Sequence, residues 1–123
     1  MFSGDAYGGG NGNQAIVNGN STTKIEGTTT IAGDLFGGGN AAANGLETGA
    51  NANSSLVTTL ITGGTISGDV YGAANTSVVH GNTVVKIGAT AVNDNTLTKG
   101  NINIGGTVFG GGKSNTAVLI LST

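Results

Sequence analysis

The sequence contains no cysteine, proline, tryptophan or arginine, and charged residues make up only 8% of its 123 positions. Without cysteine the chain cannot form a disulfide, a thiolate metal site or a cysteine nucleophile. The formal net charge is −2 and all four cations are lysines, so no basic surface is available for nucleic acid or anionic lipid. No apolar run reaches the length of about 18 residues that a transmembrane helix needs. We therefore expect neither nucleic-acid binding nor membrane insertion.

Small polar residues dominate what is present. Glycine, threonine, asparagine and serine together account for 66 of the 123 residues. Hydrophobic residues still make up 37%, which is enough to bury a core and argues against disorder. The length predicts a single domain covering residues 1–123.

One octet recurs four times, beginning at Gly4, Gly33, Gly68 and Gly106, and these positions define repeats 1 to 4. The copies read GDAYGGGN, GDLFGGGN, GDVYGAAN and GTVFGGGK. An apolar residue always stands four positions before the apolar residue of the octet, and the four pairs are Phe2 and Ala6, Ile31 and Leu35, Ile66 and Val70, and Ile104 and Val108. Internal repetition of this kind is typical of solenoid proteins.

Threonine- and valine-rich segments that follow each octet predict a third short strand in every repeat, and the connections on either side of it vary in length. The pattern predicts an all-β fold, a parallel β-helix (β-solenoid) of about three and a half coils with three short strands each. We expect right-handed winding, and insertions after Asn44 should be tolerated. An antiparallel β-sandwich or barrel is the alternative. Stacking predicts three inward columns: Phe2, Ile31, Ile66 and Ile104; Ala6, Leu35, Val70 and Val108; and Ile25, Leu60, Ile87 and Ile120.

Three further columns carry the candidate site residues. Asp5, Asp34 and Asp69 would stack about 4.8 Å apart, either as a solvated ladder of turns or as a weak candidate Ca²⁺ site, and we otherwise expect no metal or cofactor. The aromatic column either points outward as a ligand-binding or lateral-contact stripe or turns inward as a stacked ladder, and it consists of Tyr7, Phe36, Tyr71 and Phe109. Amide columns are expected at Asn11, Asn40 and Asn75, and separately at Asn20, Asn82 and Asn115.

The octets and the strands after them resemble the parallel β-helix repeat regions of bacterial surface proteins and autotransporter-type adhesins, over essentially the whole chain. The resemblance implies an extracellular or cell-surface structural or adhesive segment without catalytic activity, whose partner could be a host or bacterial surface glycan. The alternatives are a carbohydrate-binding or carbohydrate-active β-helix and an ice-binding solenoid. Catalysis is not expected because the chain has no arginine for lyase chemistry, and its repeated aspartates are explained by the turns.

Neither end of the sequence carries a charged, proline-containing or helical cap, although solenoids normally protect their open edges with polar caps. This predicts either that the chain is a slice of a longer surface protein or that molecules associate head to tail into a stalk or filament, and we favour the second. The residues expected at the end-to-end contact are Phe2, Ala6, Val118, Ile120 and Leu121.

Overall fold

The computed structural model describes residues 1–88, 101–113 and 118–120, the last three as backbone only. These residues contain strands and no helix. In chain order the strands are β1 (Ala6–Tyr7), β2 (Ser21–Ile25), β3 (Thr30–Ile31), β4 (Leu35–Phe36), β5 (Ser55–Ile61), β6 (Gly64–Ile66), β7 (Val70–Tyr71), β8 (Val78–Ile87), β9 (Ile102–Ile104), β10 (Val108–Phe109) and β11 (Val118–Ile120).

The strands form three parallel sheets, and successive strands enter the sheets in strict rotation. The first sheet has the order β1-β4-β7-β10, the second β2-β5-β8-β11, and the third β3-β6-β9. Every pairing between these strands is parallel, so neighbours in a sheet come from consecutive repeats. The predicted all-β class is confirmed at this level, and the antiparallel sandwich is wrong.

Two of the predicted columns are confirmed residue by residue. In the first sheet Ala6 pairs with Leu35, Leu35 with Val70, and Val70 with Val108. In the third sheet Phe2 pairs with Ile31, Ile31 with Ile66, and Ile66 with Ile104. The constant offset of four residues fixes both columns, because an insertion at that joint would move one column relative to the other.

The third predicted column is wrong in two places. Ile25 pairs with Ile61 rather than Leu60, while Leu60 pairs with Lys24 and Lys86. A shift of one residue exchanges the two faces of a strand, and β5 has apolar residues on both faces. At the far end of the sheet, Ile120 pairs with His80 rather than with Ile87.

Strand β8 pairs with each of its two neighbours through a different segment. Its residues Val78–His80 pair with β11, and its residues from Gly81 onward pair with β5. Gly81 separates the two segments with φ of 148°, and a side chain there would collide with the backbone of Ser55. Only glycine can adopt this φ angle and also avoid the collision with Ser55.

The core lies between the three sheets. Its main cluster contains Ile25, Ile31, Leu35, Ile61, Ile66 and Val70, and a smaller one contains Val57, Ala73 and Val79. Burial of each large aliphatic side chain stabilises the fold by about 1.5–3 kcal/mol. Asn44 is also fully buried, and its backbone pairs with Val17 and Val79. The burial of Asn44 argues against the expectation that insertions after it are tolerated, because this position belongs to the packed interior.

Candidate functional site

The aspartates of the octets bind each repeat to the next one. The Oδ1 atom of Asp5 accepts a hydrogen bond of 2.8 Å from the backbone N–H of Asp34. Asp34 accepts from the N–H of Asp69, and Asp69 from that of Thr107, at the same distance. Charge-assisted hydrogen bonds of this kind are stronger than neutral ones. The aspartate column is thus a series of cross-links between repeats.

The glycine before each aspartate position makes room for this bond. A Cβ atom at Gly33, Gly68 or Gly106 would lie well inside van der Waals contact with the Oδ1 atom of the preceding repeat. At Gly4 a Cβ atom would meet nothing within 4 Å among the residues that the structure describes. The aspartate of each Gly-Asp pair therefore bonds to the next repeat, and the glycine leaves room for the carboxylate of the previous repeat.

The second carboxylate oxygen has a partner that depends on the aromatic residue two positions later. The tyrosine hydroxyl donates to the aspartate of its own octet, from Tyr7 to Asp5 at 3.2 Å and from Tyr71 to Asp69 at 3.1 Å. Repeat 2 has Phe36, which has no hydroxyl, and there Asp34 Oδ2 forms a 2.9 Å ion pair with Lys113. Sequence reasoning missed this ion pair, since no local pattern relates two residues 79 positions apart.

The four aromatic residues of the octets form a stacked ladder. Neighbouring ring centroids are 4.9 Å apart, and the interplanar angles are 8° to 9°. Phe36 and Tyr71 are buried, whereas Tyr7 is half-buried and Phe109 is 41% exposed. Of the two arrangements left open by the sequence, the stacked ladder is the one observed. Aromatic surface for a ligand or a neighbouring molecule is therefore available at the ends of the column rather than along it.

Electrostatics around the ladder favour an ionised Asp34 and neutral tyrosines. The hydrogen bond from Lys113 lowers the pKa of the Asp34 carboxyl, and the same bond raises the pKa of Lys113. Burial raises the pKa of the Tyr71 hydroxyl, and the hydrogen bond to Asp69 raises it further. Burial is also the main cause of the raised pKa of Tyr7. The Asp34–Lys113 pair is accordingly an ion pair at neutral pH.

The weak Ca²⁺ candidate is not supported by these contacts, because the aspartate oxygens already accept hydrogen bonds from the chain. In the part of the chain that the structure describes, no cluster of three or more His, Cys, Asp or Glu side chains is arranged to hold a metal ion.

The first predicted amide column is confirmed. Asn40 Nδ2 donates to Asn11 Oδ1 at 2.9 Å, and Asn75 Nδ2 donates to Asn40 Oδ1 at 3.0 Å. The second one is interrupted, because Leu56 pairs with Asn82 and takes the place between the two asparagines. Asn20 Oδ1 instead accepts the N–H of Leu56, and Asn115 lies outside the described residues.

The ends of the columns expose apolar side chains. At the edge formed by repeat 1, Phe2 is 55% exposed and Ala6 and Tyr7 line an open cavity of about 550 Å³. At the opposite edge of the first sheet, Val108 is 40% exposed beside Phe109. Of the other predicted end residues, Val118 and Ile120 are described only as backbone of β11, and Leu121 lies outside the described residues.

The structure thus defines a class, that of all-β repeat proteins with three parallel sheets and stacked side-chain ladders. No protein-family model, curated protein or solved structure matches the chain. Among the described residues there is no helix with the length and apolar character needed to cross a membrane.

Proposed function

We propose that the chain is a right-handed parallel β-solenoid of about three and a half coils, which serves outside the cell as a structural and adhesive segment and associates end to end with copies of itself. Rotation of the strands through three parallel sheets supports the solenoid. The composition, low in charge and rich in threonine and asparagine, is compatible with an extracellular location.

The observation that carries the proposal is the exposure of Phe2 at one end of the columns and of Val108 and Phe109 at the other. Strands β1 and β10 are the two edges of the same parallel sheet, so each offers unpaired backbone groups to a further strand. Pairing β10 of one copy with β1 of the next would stack Phe109 on Tyr7 and extend the aromatic ladder. Because the two edges differ, this contact is head to tail and generates a filament.

Negative-stain electron microscopy and sedimentation of the purified chain at micromolar concentrations test the proposal. We expect filaments, or a sedimentation coefficient that rises with concentration. Phe2→Asp and Phe109→Asp each place a charge on one end, and each should abolish long assemblies without preventing folding. Ile16→Asp is the matched control, because Ile16 is 50% exposed but belongs to none of the strands.

A mixture of the two end variants provides the sharpest result. Each variant retains one unmodified end, so the mixture should form one-to-one dimers, while each variant alone stays monomeric. Wild-type protein that remains monomeric throughout the concentration series overturns the proposal. Assembly that is unaffected by both end variants also overturns it, because the contact would then lie on a lateral surface.

A further inference from the structure

The longest connection between an octet and its following strand, in repeat 2, forms one wall of a second cavity. This cavity has a volume of about 270 Å³ and lies away from the aromatic ladder. Apart from Gly19 and Gly45, its lining consists of Asn18, Asn20, Leu46, Asn51, Ser54 and Ser55. The volume is just below the range of about 300–1,000 Å³ that is usual for small-molecule sites, so a ligand of one or two rings would fit.

Several hydrogen bonds hold the walls in place. Ser55, which is buried, donates from Oγ to the backbone oxygen of Gly19 at 2.6 Å. Across the inserted loop, the N–H of Asn53 donates to the backbone oxygen of Leu46 at 2.8 Å. His80 Nδ1 lies 3.1 Å from Asn53 Oδ1 and fixes the loop to the next repeat. A site that is held in shape before binding loses less entropy when a ligand enters.

Asn53 has φ of 54°, a left-handed conformation that is uncommon for residues other than glycine. The hydrogen bonds to Leu46 and His80 maintain this conformation. A strained backbone conformation persists only where surrounding contacts hold it, and such conformations are concentrated at binding sites.

The chemistry of the lining selects one class of ligand. No ionisable side chain lines the cavity, so a phosphate, a carboxylate or a metal ion would have no opposite charge there. Leu46 is the one large apolar side chain in the lining, and it provides too little apolar surface to bind an apolar ligand. Amides and hydroxyls both donate and accept hydrogen bonds, which matches the hydroxyl groups of a sugar. Within the described residues, the side-chain amides of Asn18 and Asn51 have no hydrogen-bond partner.

We propose that this cavity is a binding site for a neutral carbohydrate of one or two pyranose rings. Asn18 and Asn51 contact the sugar hydroxyls with their amides, and Leu46 packs against the apolar face of a ring. The site lies on the side of the molecule and does not require end-to-end assembly. Its failure and that of the proposed function are therefore distinguishable.

Saturation-transfer difference NMR on the full chain tests the site, because it detects sugar protons whether the protein is dispersed or assembled. The probes are methyl glucoside, methyl galactoside, methyl mannoside and N-acetylglucosamine, each titrated separately. We expect saturable transfer to at least one of them, with a Kd of about 1–10 mM. Inorganic phosphate and Ca²⁺ should not compete.

Variants locate the binding. Asn51→Ala and Asn18→Ala should each weaken binding at least fivefold while the melting temperature stays unchanged, since neither amide bonds to the described chain. Asn13→Ala is the matched control, an exposed asparagine outside the cavity, and should bind like the wild type. The proposal is overturned if none of the four sugars binds saturably, if both cavity variants bind normally, or if phosphate competes.

Discussion

Thr59→Val is expected to stabilise the protein, and the reason lies in a single buried hydroxyl. Thr59 is fully buried, and its Oγ1 has no hydrogen-bond partner among the residues that the structure describes. The next residue in the same column is Val85, which shows that valine fits this packing environment. Leaving a buried hydroxyl unpaired costs about 1–3 kcal/mol.

The methyl group that replaces the hydroxyl in the variant offsets part of the gain in stability. Thr59 Oγ1 faces Gly37, and an imagined Cβ atom on Gly37 would lie 2.5 Å from it, whereas the matching distance from Gly72 to Val85 Cγ2 is 3.1 Å. The column must therefore widen slightly to accept a methyl group, at a cost of about 1 kcal/mol. The net expectation is a stabilisation of about 1 kcal/mol, or a rise of about 4 °C in melting temperature.

Thermal and urea unfolding followed by circular dichroism measure the difference. Thr23→Val is the control in the same column, because Thr23 is only half-buried and its hydroxyl is not among the buried oxygens without a hydrogen-bond partner. The control should change stability by less than about 0.5 kcal/mol. A Thr59→Val variant that is less stable than the wild type would refute the reasoning, since it would mean that the hydroxyl is satisfied.

The remaining predictions concern the cross-links between repeats. Gly68→Ala should cost at least about 2 kcal/mol because its Cβ collides with Asp34, whereas Gly4→Ala, with open space around it, should be neutral in the same urea titration. Lys113→Met removes the ion pair to Asp34, whose carboxyl has a lowered pKa in the folded state. The stability that this pair contributes is present above the ordinary value of 3.8 and is lost as the pH falls below it. Lys113 is partly exposed, so the wild type should be more stable than the variant by a few tenths of a kcal/mol at pH 6 and by less at pH 2, and an equal difference at both pH values would contradict the assignment. EDTA should leave the melting temperature unchanged, and a clear drop would restore the aspartates as a cation site.

The sequence predicts the first and third sheets well because their strands are joined by a linker of constant length. The pairs Ile31 with Ile66 and Leu35 with Val70 follow directly from it. The second sheet is reached through connections of variable length, so its register must be judged from composition alone. Strand β5 alternates Leu56 and Leu60 on one face with Val57 and Ile61 on the other, and hydrophobicity does not distinguish the two phases.

The candidate sites were less accessible to sequence reasoning. The repeated aspartates mark a position of interest, but their role depends on a backbone N–H that is 29 to 38 residues away. The pairing of Asp34 with Lys113 depends on Phe36 lacking a hydroxyl, which becomes evident only once Tyr7 and Tyr71 are seen to occupy the equivalent oxygens. The polar cavity could not be predicted because it depends on the path of the loop 41–54, which no short sequence motif specifies.

The Gly-Asp pair has a consequence for how such a chain can change its length. Each of the first three units carries the carboxylate that its successor needs, and each octet begins with a glycine that leaves room for the carboxylate of its predecessor, so an inserted copy of repeat 2 would preserve this hydrogen bond on both sides. Repeat 4 has Thr107 in place of the aspartate and cannot pass the bond on in this form. A longer chain made by repeating any of the first three units would therefore keep this bond between all of them, whereas a unit added after repeat 4 would gain it only with a Thr107→Asp change.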